Sequence, residues 1–138
     1  MADQVKLANY CYLKVPSRPG RGAAVLDALR EAGVDLLAFT AFPDRGGKAQ
    51  VDLVTNDIAG VRRVARRTGW TLSAPKKVFL VHGDDRVGAV YRHVSRLAEA
   101  RINITAADAV TAGKGRFGMI LWVKPKDLRR AAAVLGAR

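Results

Sequence analysis

The sequence predicts an α+β chain in which one β-α-β-β-α-β unit occurs twice, its strands antiparallel and its helices on one face of the sheet. Three observations carry this. Residues 10–55 align with 78–123 without a gap, so that Ser17-Arg18-Pro19-Gly20 meets Asp85-Arg86-Val87-Gly88, and Leu29, Glu31, Ala32 and Val34 meet Leu97, Glu99, Ala100 and Ile102. Every pair is 68 residues apart (88 − 20 = 68) and the alignment holds nine identities, where composition alone gives about three or four. In both copies an apolar run ends in a turn and is followed by a helical stretch, a β-branched run, a Gly-containing turn and a second alternating strand, the mark of one supersecondary unit used twice.

Residues 5–15 alternate, with Tyr10 and Tyr12 on one face and Cys11, Leu13 and Val15 on the other, as a strand requires. Pro16 to Gly20 breaks it. Leu26, Leu29 and Gly33 then mark a helix stripe that Gly33 ends, matched by Val90, Val94 and Leu97 in the second copy. Val34–Phe42 reads as the second strand, 43–47 as a hairpin turn and Ala49–Thr55 as the returning strand. Their counterparts are Ile102–Thr111, the turn 112–115 and Phe117–Val123.

Asn56-Asp57 is placed to cap a second helix, with Val61, Val64 and Ala65 inward and Gly69 after its last turn; Leu128, Ala131 and Gly136 correspond. Trp70–Ser73 reads as a short last strand of the first unit, and Ala74-Pro75-Lys76 as the link. Only Ala137 and Arg138 follow Gly136, so the second unit lacks or shortens that strand; either its sheet edge stays short, or it is covered within the chain, with Val5–Asn9 a candidate, or by a second subunit. The units are 1–74 and 77–138, each on the split βαβ plan of ferredoxin-like folds. Phe39 and Phe42, beside Ala38 and Ala41, make the second strand apolar on both faces, which predicts burial against the other copy or another chain.

A strand, a turn of the form D-x-P-G, a helix and then a run like A-E-A-G-V-N-I resemble the ACT domain, a small amino-acid-sensing module of metabolic enzymes. Here the motif stands as Ser17 to Gly20 with Glu31-Ala32-Gly33-Val34-Asp35-Leu36, and as Asp85 to Gly88 with Glu99-Ala100-Arg101-Ile102-Asn103-Ile104. Ser17 departs from the usual Asp and Val87 from the usual Pro. The resemblance covers nearly the whole chain as a tandem of two ACT-like units. It implies a non-catalytic regulatory protein that binds an amino acid or similar small zwitterion between units or subunits, as a homodimer acting on an enzyme partner.

The residues suit that chemistry. A helix start offers unpaired N–H groups and a positive dipole end to a carboxylate, and Gly20 or Gly88 lets a ligand approach that backbone. Arg18 and Arg86 occupy matched turn positions suited to a bidentate clamp. Asp35 and Asn103, with Leu36 and Ile104, start the second strands and offer acceptors to an ammonium group; the ACT resemblance implies that an opposite copy brings them to the turn. The candidate ligand residues are thus Ser17, Arg18, Pro19, Gly20, Asp35, Leu36, Asp85, Arg86, Val87, Gly88, Asn103 and Ile104. The plainer reading is that Ser17 and Asp85 cap helices and the glycines only make turns.

Other chemistries fit less well. His82, Asp84 and Asp85 fall short of an oxygen cage for a divalent cation, so no metal and no cofactor is expected. Cys11, the only cysteine, excludes an internal disulfide and reads as a small buried apolar residue rather than a nucleophile; His93 stands where the first copy has Val25, at the core boundary. No apolar run approaches the roughly 20 residues of a membrane span, and Met1-Ala2-Asp3-Gln4 has no signal character, so a soluble cytoplasmic protein is expected.

The net charge of +12 supports a rival class. Arg62, Arg63, Arg66 and Arg67 share the outer face of one helix, and Lys124, Lys126, Arg129 and Arg130 open its counterpart, surfaces that attract nucleic acid or other polyanions. The strands lack the stacking aromatics of an RNA-recognition module. A third reading is an assembly subunit without ligand.

Overall fold

Alternating apolar residues build β1 (Gln4–Pro16), and the computed structural model, which describes residues 3–138, continues it through α1 (Arg21–Glu31), β2 (Ala38–Asp44), β3 (Lys48–Val54) and α2 (Ile58–Thr68). The same order follows in β4 (Lys76–Asp84), α3 (Ala89–Glu99), β5 (Ile104–Gly113), β6 (Arg116–Val123), a 3-10 turn (Pro125–Asp127) and α4 (Leu128–Leu135). The reading of Met1 and Ala2 lies outside the described residues. The chain divides into two compact units: residues 9–76, and residues 3–8 with 77–138.

In the first unit β3 lies between β2 and β1, antiparallel to both, with Leu13 opposite Val51 and Cys11 opposite Leu53. Leu13, Val51 and Leu53 share one sheet face and pack against Val25 and Leu29 of α1 and Val61 and Val64 of α2, with Val34 closing the cluster. In the second unit β6 lies between β4 and β5. Val81 opposite Met119 and Phe79 opposite Leu121 repeat the first register at 68 residues. They pack against Ala89 and Leu97 of α3 and Ala131 and Leu135 of α4. Burial of each such Val, Leu or Phe contributes about 1.5–3 kcal/mol, so each unit has a core of its own.

The helix ends follow the sequence closely. Asp57 caps α2 by accepting from Gly60 N at 2.9 Å, and Gly69 and Gly136 end α2 and α4 in left-handed conformation. After α1, Gly33 N donates to Arg30 O at 3.0 Å and Val34 N to Leu29 O at 3.0 Å; after α3, Arg101 N donates to Ala98 O and Ile102 N to Leu97 O. This pair of bonds satisfies the last carbonyls of each helix. It also uses the N–H of Val34 and Ile102 and keeps these two residues out of the strands, so that β2 starts at Ala38 and β5 at Ile104 rather than at the expected Val34 and Ile102.

Other expectations need correction. The buried stripe of α1 is Val25 and Leu29, with Leu26 exposed; that of α3 is Ala89, His93 and Leu97, one position before the expected Val90 and Val94. His93 is thus fully buried rather than at the boundary. Its Nε2 lies 2.6 Å from Asp3 Oδ2, which Arg92 also approaches at 3.2 Å. Gly83 makes room for this acid, since a Cβ there collides with Asp3 and Phe117. Phe39 and Phe42 remain exposed within the chain, at 38% and 44%.

Trp70–Ser73 forms no strand. It runs beside β1, where Ser73 N donates to Tyr12 O at 2.8 Å and Tyr12 N to Ser73 Oγ at 2.9 Å, while Trp70 and Leu72 turn into the core. In the second unit the N-terminal part of β1 meets the chain end, as expected for Val5–Asn9: Leu7 N donates to Arg138 O at 3.2 Å and Arg138 N to Val5 O at 3.1 Å.

Two carboxylate environments predict opposite pH effects. Lys14 beside Asp44, at 2.7 Å, and Arg116 beside Asp84, at 2.6 Å, hold those carboxyls below the ordinary 3.8. Their contribution is lost as pH falls below 3.8 through the folded values. Burial pushes Asp52 above 3.8, only partly offset by hydrogen bonds donated by Gln50 and Thr40. The unfolded chain then ionises first, so stability declines as pH rises from 3.8 through the raised value. Urea denaturation across this range is expected to show that decline, and Asp52→Asn to abolish it.

Arg101 has φ 58° where its counterpart Gly33 has 71°. A side chain in that region costs about 1–2 kcal/mol, against about 0.5–1 kcal/mol for the flexibility of an unfolded glycine. Arg101→Gly is expected to stabilise the protein by up to about 1 kcal/mol, and Gly33→Ala to destabilise it by a similar amount, both read from denaturant midpoints.

Candidate functional site

The two turns have the same construction. Ser17 N donates to Gly47 O at 2.8 Å, and Asp85 N donates to Gly115 O at 2.8 Å, 68 residues on; each bond ties the strand-to-helix turn to the following hairpin turn. Arg21 N then closes on Arg18 O and Ala89 N on Arg86 O. Gly20 and Gly88 stand at the N-caps of α1 and α3 with φ 88° and 81°, and neither helix has a side-chain cap. Ser17 and Asp85 are therefore not capping residues. A Cβ at either glycine meets nothing within 4 Å, so space lies open above both helix starts.

At the second turn that space is a cavity of about 270 Å³. Asp85, Arg86 and Gly88 form one wall, Ala89, Val90 and Tyr91 another, and Ala109, Val110 and Thr111 of β5 with Phe117 of β6 the rest. The volume is just under the about 300–1,000 Å³ of pockets for drug-sized molecules, which suits a smaller ligand. Neither the Asp85 carboxylate nor the Arg86 guanidinium has a partner among the described residues. Of the lining, Val90, Tyr91 and Val110 are exposed, Tyr91 at 73% and Val110 at 70%. Exposed apolar side chains gathered at one place are a feature that interaction sites share. The cavity thus combines a helix start without a side-chain cap, a guanidinium, a carboxylate and an apolar wall.

The first turn lacks the helix and β6 parts of this lining. Where the second copy has Val90, Tyr91 and Phe117, the first has Gly22, Ala23 and Ala49. Ser17, Arg18, Pro19 and Gly20 are exposed together. The cavity of that unit lies elsewhere, between β1, α1 and the segment after α2, with Lys14, Arg21 and Trp70 in its lining.

The strand starts are not brought to the turns of their own unit. Asn103 and Ile104 stand at the opening of β5, while the cavity is at Val110, six residues on and about 20 Å away at about 3.3 Å per residue. Asp35 and Leu36 precede β2, whose seven residues separate them from the hairpin turn that holds Ser17. The backbone of Asp35 is fixed by Thr55 Oγ1, which donates to its carbonyl at 2.7 Å, and its side chain is exposed.

Cys11 is fully buried, and burial pushes its thiol up against the opposing effect of Arg62, which fits packing rather than reactivity. Asp84 pairs with Arg116. Sequence reasoning missed Val90, Tyr91, Val110, Thr111 and Phe117 as lining residues; for Val90, Tyr91 and Phe117 the 68-residue register carried a signal, bulky residues opposite Gly22, Ala23 and Ala49, whereas Val110 and Thr111 stand opposite Phe42 and Pro43 and gave none.

No protein-family model matches the sequence, and no curated protein matches it. Solved structures share the fold. Protein BT0572 from Bacteroides thetaiotaomicron aligns over 96% of this chain and 88% of its own, with TM-score 0.78 at 14% identity. The regulatory subunit of aspartate kinase from Thermus thermophilus, in its ligand-free form, aligns over 98% and 93%, with TM-score 0.65 at 14% identity. That of Thermus flavus aligns over 98% and 94%, with TM-score 0.62 at 13% identity. No helix among the described residues is long and apolar enough to cross a membrane.

Because both N-cap glycines are left-handed, Gly20→Ala and Gly88→Ala are each expected to cost about 1–2 kcal/mol of stability, measured by denaturant unfolding. A cost below the error of the measurement contradicts this geometry.

Proposed function

We propose that the protein is an ACT-like regulatory module that binds an amino acid or similar small zwitterion in the cavity at the start of α3. The observation that carries this is the company of Asp85 and Arg86: two unpaired opposite charges beside an uncapped helix start and an apolar wall. The ligand carboxylate meets the first-turn N–H groups of α3 and the Arg86 fork, its ammonium meets Asp85, and its side chain lies on Tyr91, Val110 and Phe117. Likeness in fold to regulatory subunits of aspartate kinase supports the reading. The role is binding, with any effect on a partner enzyme exerted through the arrangement that the ligand favours.

A second copy of the chain completes the site. Within its unit β5 pairs only with β6, and nine of its ten residues are exposed. An edge of that length attracts another strand. Antiparallel pairing of two β5 edges sets the Ile104 end of one copy beside the Val110 end of the other, which brings Asn103 and Ile104 of the second copy to the cavity across the 20 Å that separates them within one chain.

A thermal-shift screen of the common amino acids tests the reading. Saturation at about 100 times the Kd stabilises by about 2.7 kcal/mol. At least one amino acid is expected to raise Tm for the wild type and for Arg18→Gln, but not for Arg86→Gln or Asp85→Asn. Ala107→Lys, which charges the β5 edge, is expected to give a monomer in sedimentation and to weaken the same response. No shift with any amino acid, or an equal shift in Arg86→Gln, contradicts the proposal.

A further inference from the structure

The outward face of α2 carries Arg62, Arg63, Arg66 and Arg67, all exposed, and none has a hydrogen-bond or ion-pair partner among the described residues. The helix turns Gly60, Val61, Val64 and Ala65 inward, which leaves the arginines as two adjoining rows, with only Ala59 and Thr68 beside them on the exposed surface. The acids of α1 and of the α2 cap make their contacts elsewhere. Asp57 accepts from Gly60 N at the helix start, and on α1 both Asp27 and Glu31 are held by Arg30, at 2.6 and 2.9 Å. Four uncompensated guanidinium groups on one rigid face repel each other, and a polyanion relieves that cost.

The chemistry of the face narrows the partner. Residues four apart on a helix are separated by about 6 Å along its axis, so Arg62 with Arg66 and Arg63 with Arg67 form two pairs able to grip neighbouring phosphates. Planar guanidinium forks match phosphate oxygens in a bidentate manner. No aromatic side chain stands on the face, and single-strand binding relies on stacking. No apolar anchor stands there either, whereas a protein partner needs one for its binding core and a membrane partner for insertion. We infer that α2 docks the phosphate backbone of a duplex nucleic acid, without reading its sequence. This surface is distinct from the α3 cavity, and the inference stands independently of the amino-acid reading.

Fluorescence anisotropy with a short labelled DNA duplex of mixed sequence tests it. Each phosphate contact adds about −0.9 to the slope of log K against log salt, so four contacts weaken wild-type binding by about 10²-fold between 50 and 200 mM salt. The variant with all four arginines changed to Gln is expected to lose that dependence, with circular dichroism confirming its helices. Changing the same four to Lys is expected to keep the slope. A charge-matched variant, Lys124, Lys126, Arg129 and Arg130 all changed to Gln, is expected to bind as the wild type does. Equal loss in both Gln variants overturns the inference in favour of a net-charge effect. Competition by polyglutamate or anionic vesicles that matches the duplex at equal charge overturns it in favour of another partner class.

Discussion

The hydrogen bond from Asp85 N to Gly115 O, and its repeat from Ser17 N to Gly47 O, pins the start of a helix against a hairpin turn at one end of each sheet. Everything proposed for the site depends on that tie. It brings the chain from strand to helix through a left-handed glycine, leaves the first-turn N–H groups without a side-chain cap, and opens space above them. A looser turn moves the dipole end of α3 away from β5, and Arg86 and Asp85 then no longer face one wall.

Around this shared frame the two units differ where side chains reach water. Their cores keep equivalent positions, Leu13 with Val51 and Val81 with Met119, because a close-packed interior tolerates few changes of volume. At the helix starts the first unit has Gly22 and Ala23 where the second has Val90 and Tyr91. The arginine face of α2 belongs to the first copy, and the walled cavity to the second. The two units thus share a turn construction and carry different surfaces.

Much of this was legible in the sequence. The 68-residue register located the turns, the hairpins and the helix stops, because glycine, proline and capping residues act locally. It misplaced what depends on tertiary packing. Leu26 and Val90 have the apolar character of a core stripe, but the orientation of each helix on its sheet buries Val25 and His93 instead. His93 is buried because Asp3, ninety residues away, supplies its partner, and no local pattern reports that. The strand expected at Trp70–Ser73 failed because Trp70 and Leu72 turn into the core and the segment makes a single side-chain and backbone exchange with Tyr12. For the site, the turns were found from the motif; the walls from β5 and β6 were missed because they lie far along the chain, and Val90 beside Gly88 was missed because its apolar character reads as core.

Amide chemical-shift mapping tests the central claim most directly, since it locates binding without altering a residue. On addition of an amino acid that binds, the account places the largest changes at the amides of Gly88, Ala89 and Val90, with a second set at Ala109 to Thr111 and none at Gly20 and its neighbours. Changes confined to other surfaces, or spread equally over both turns, contradict it.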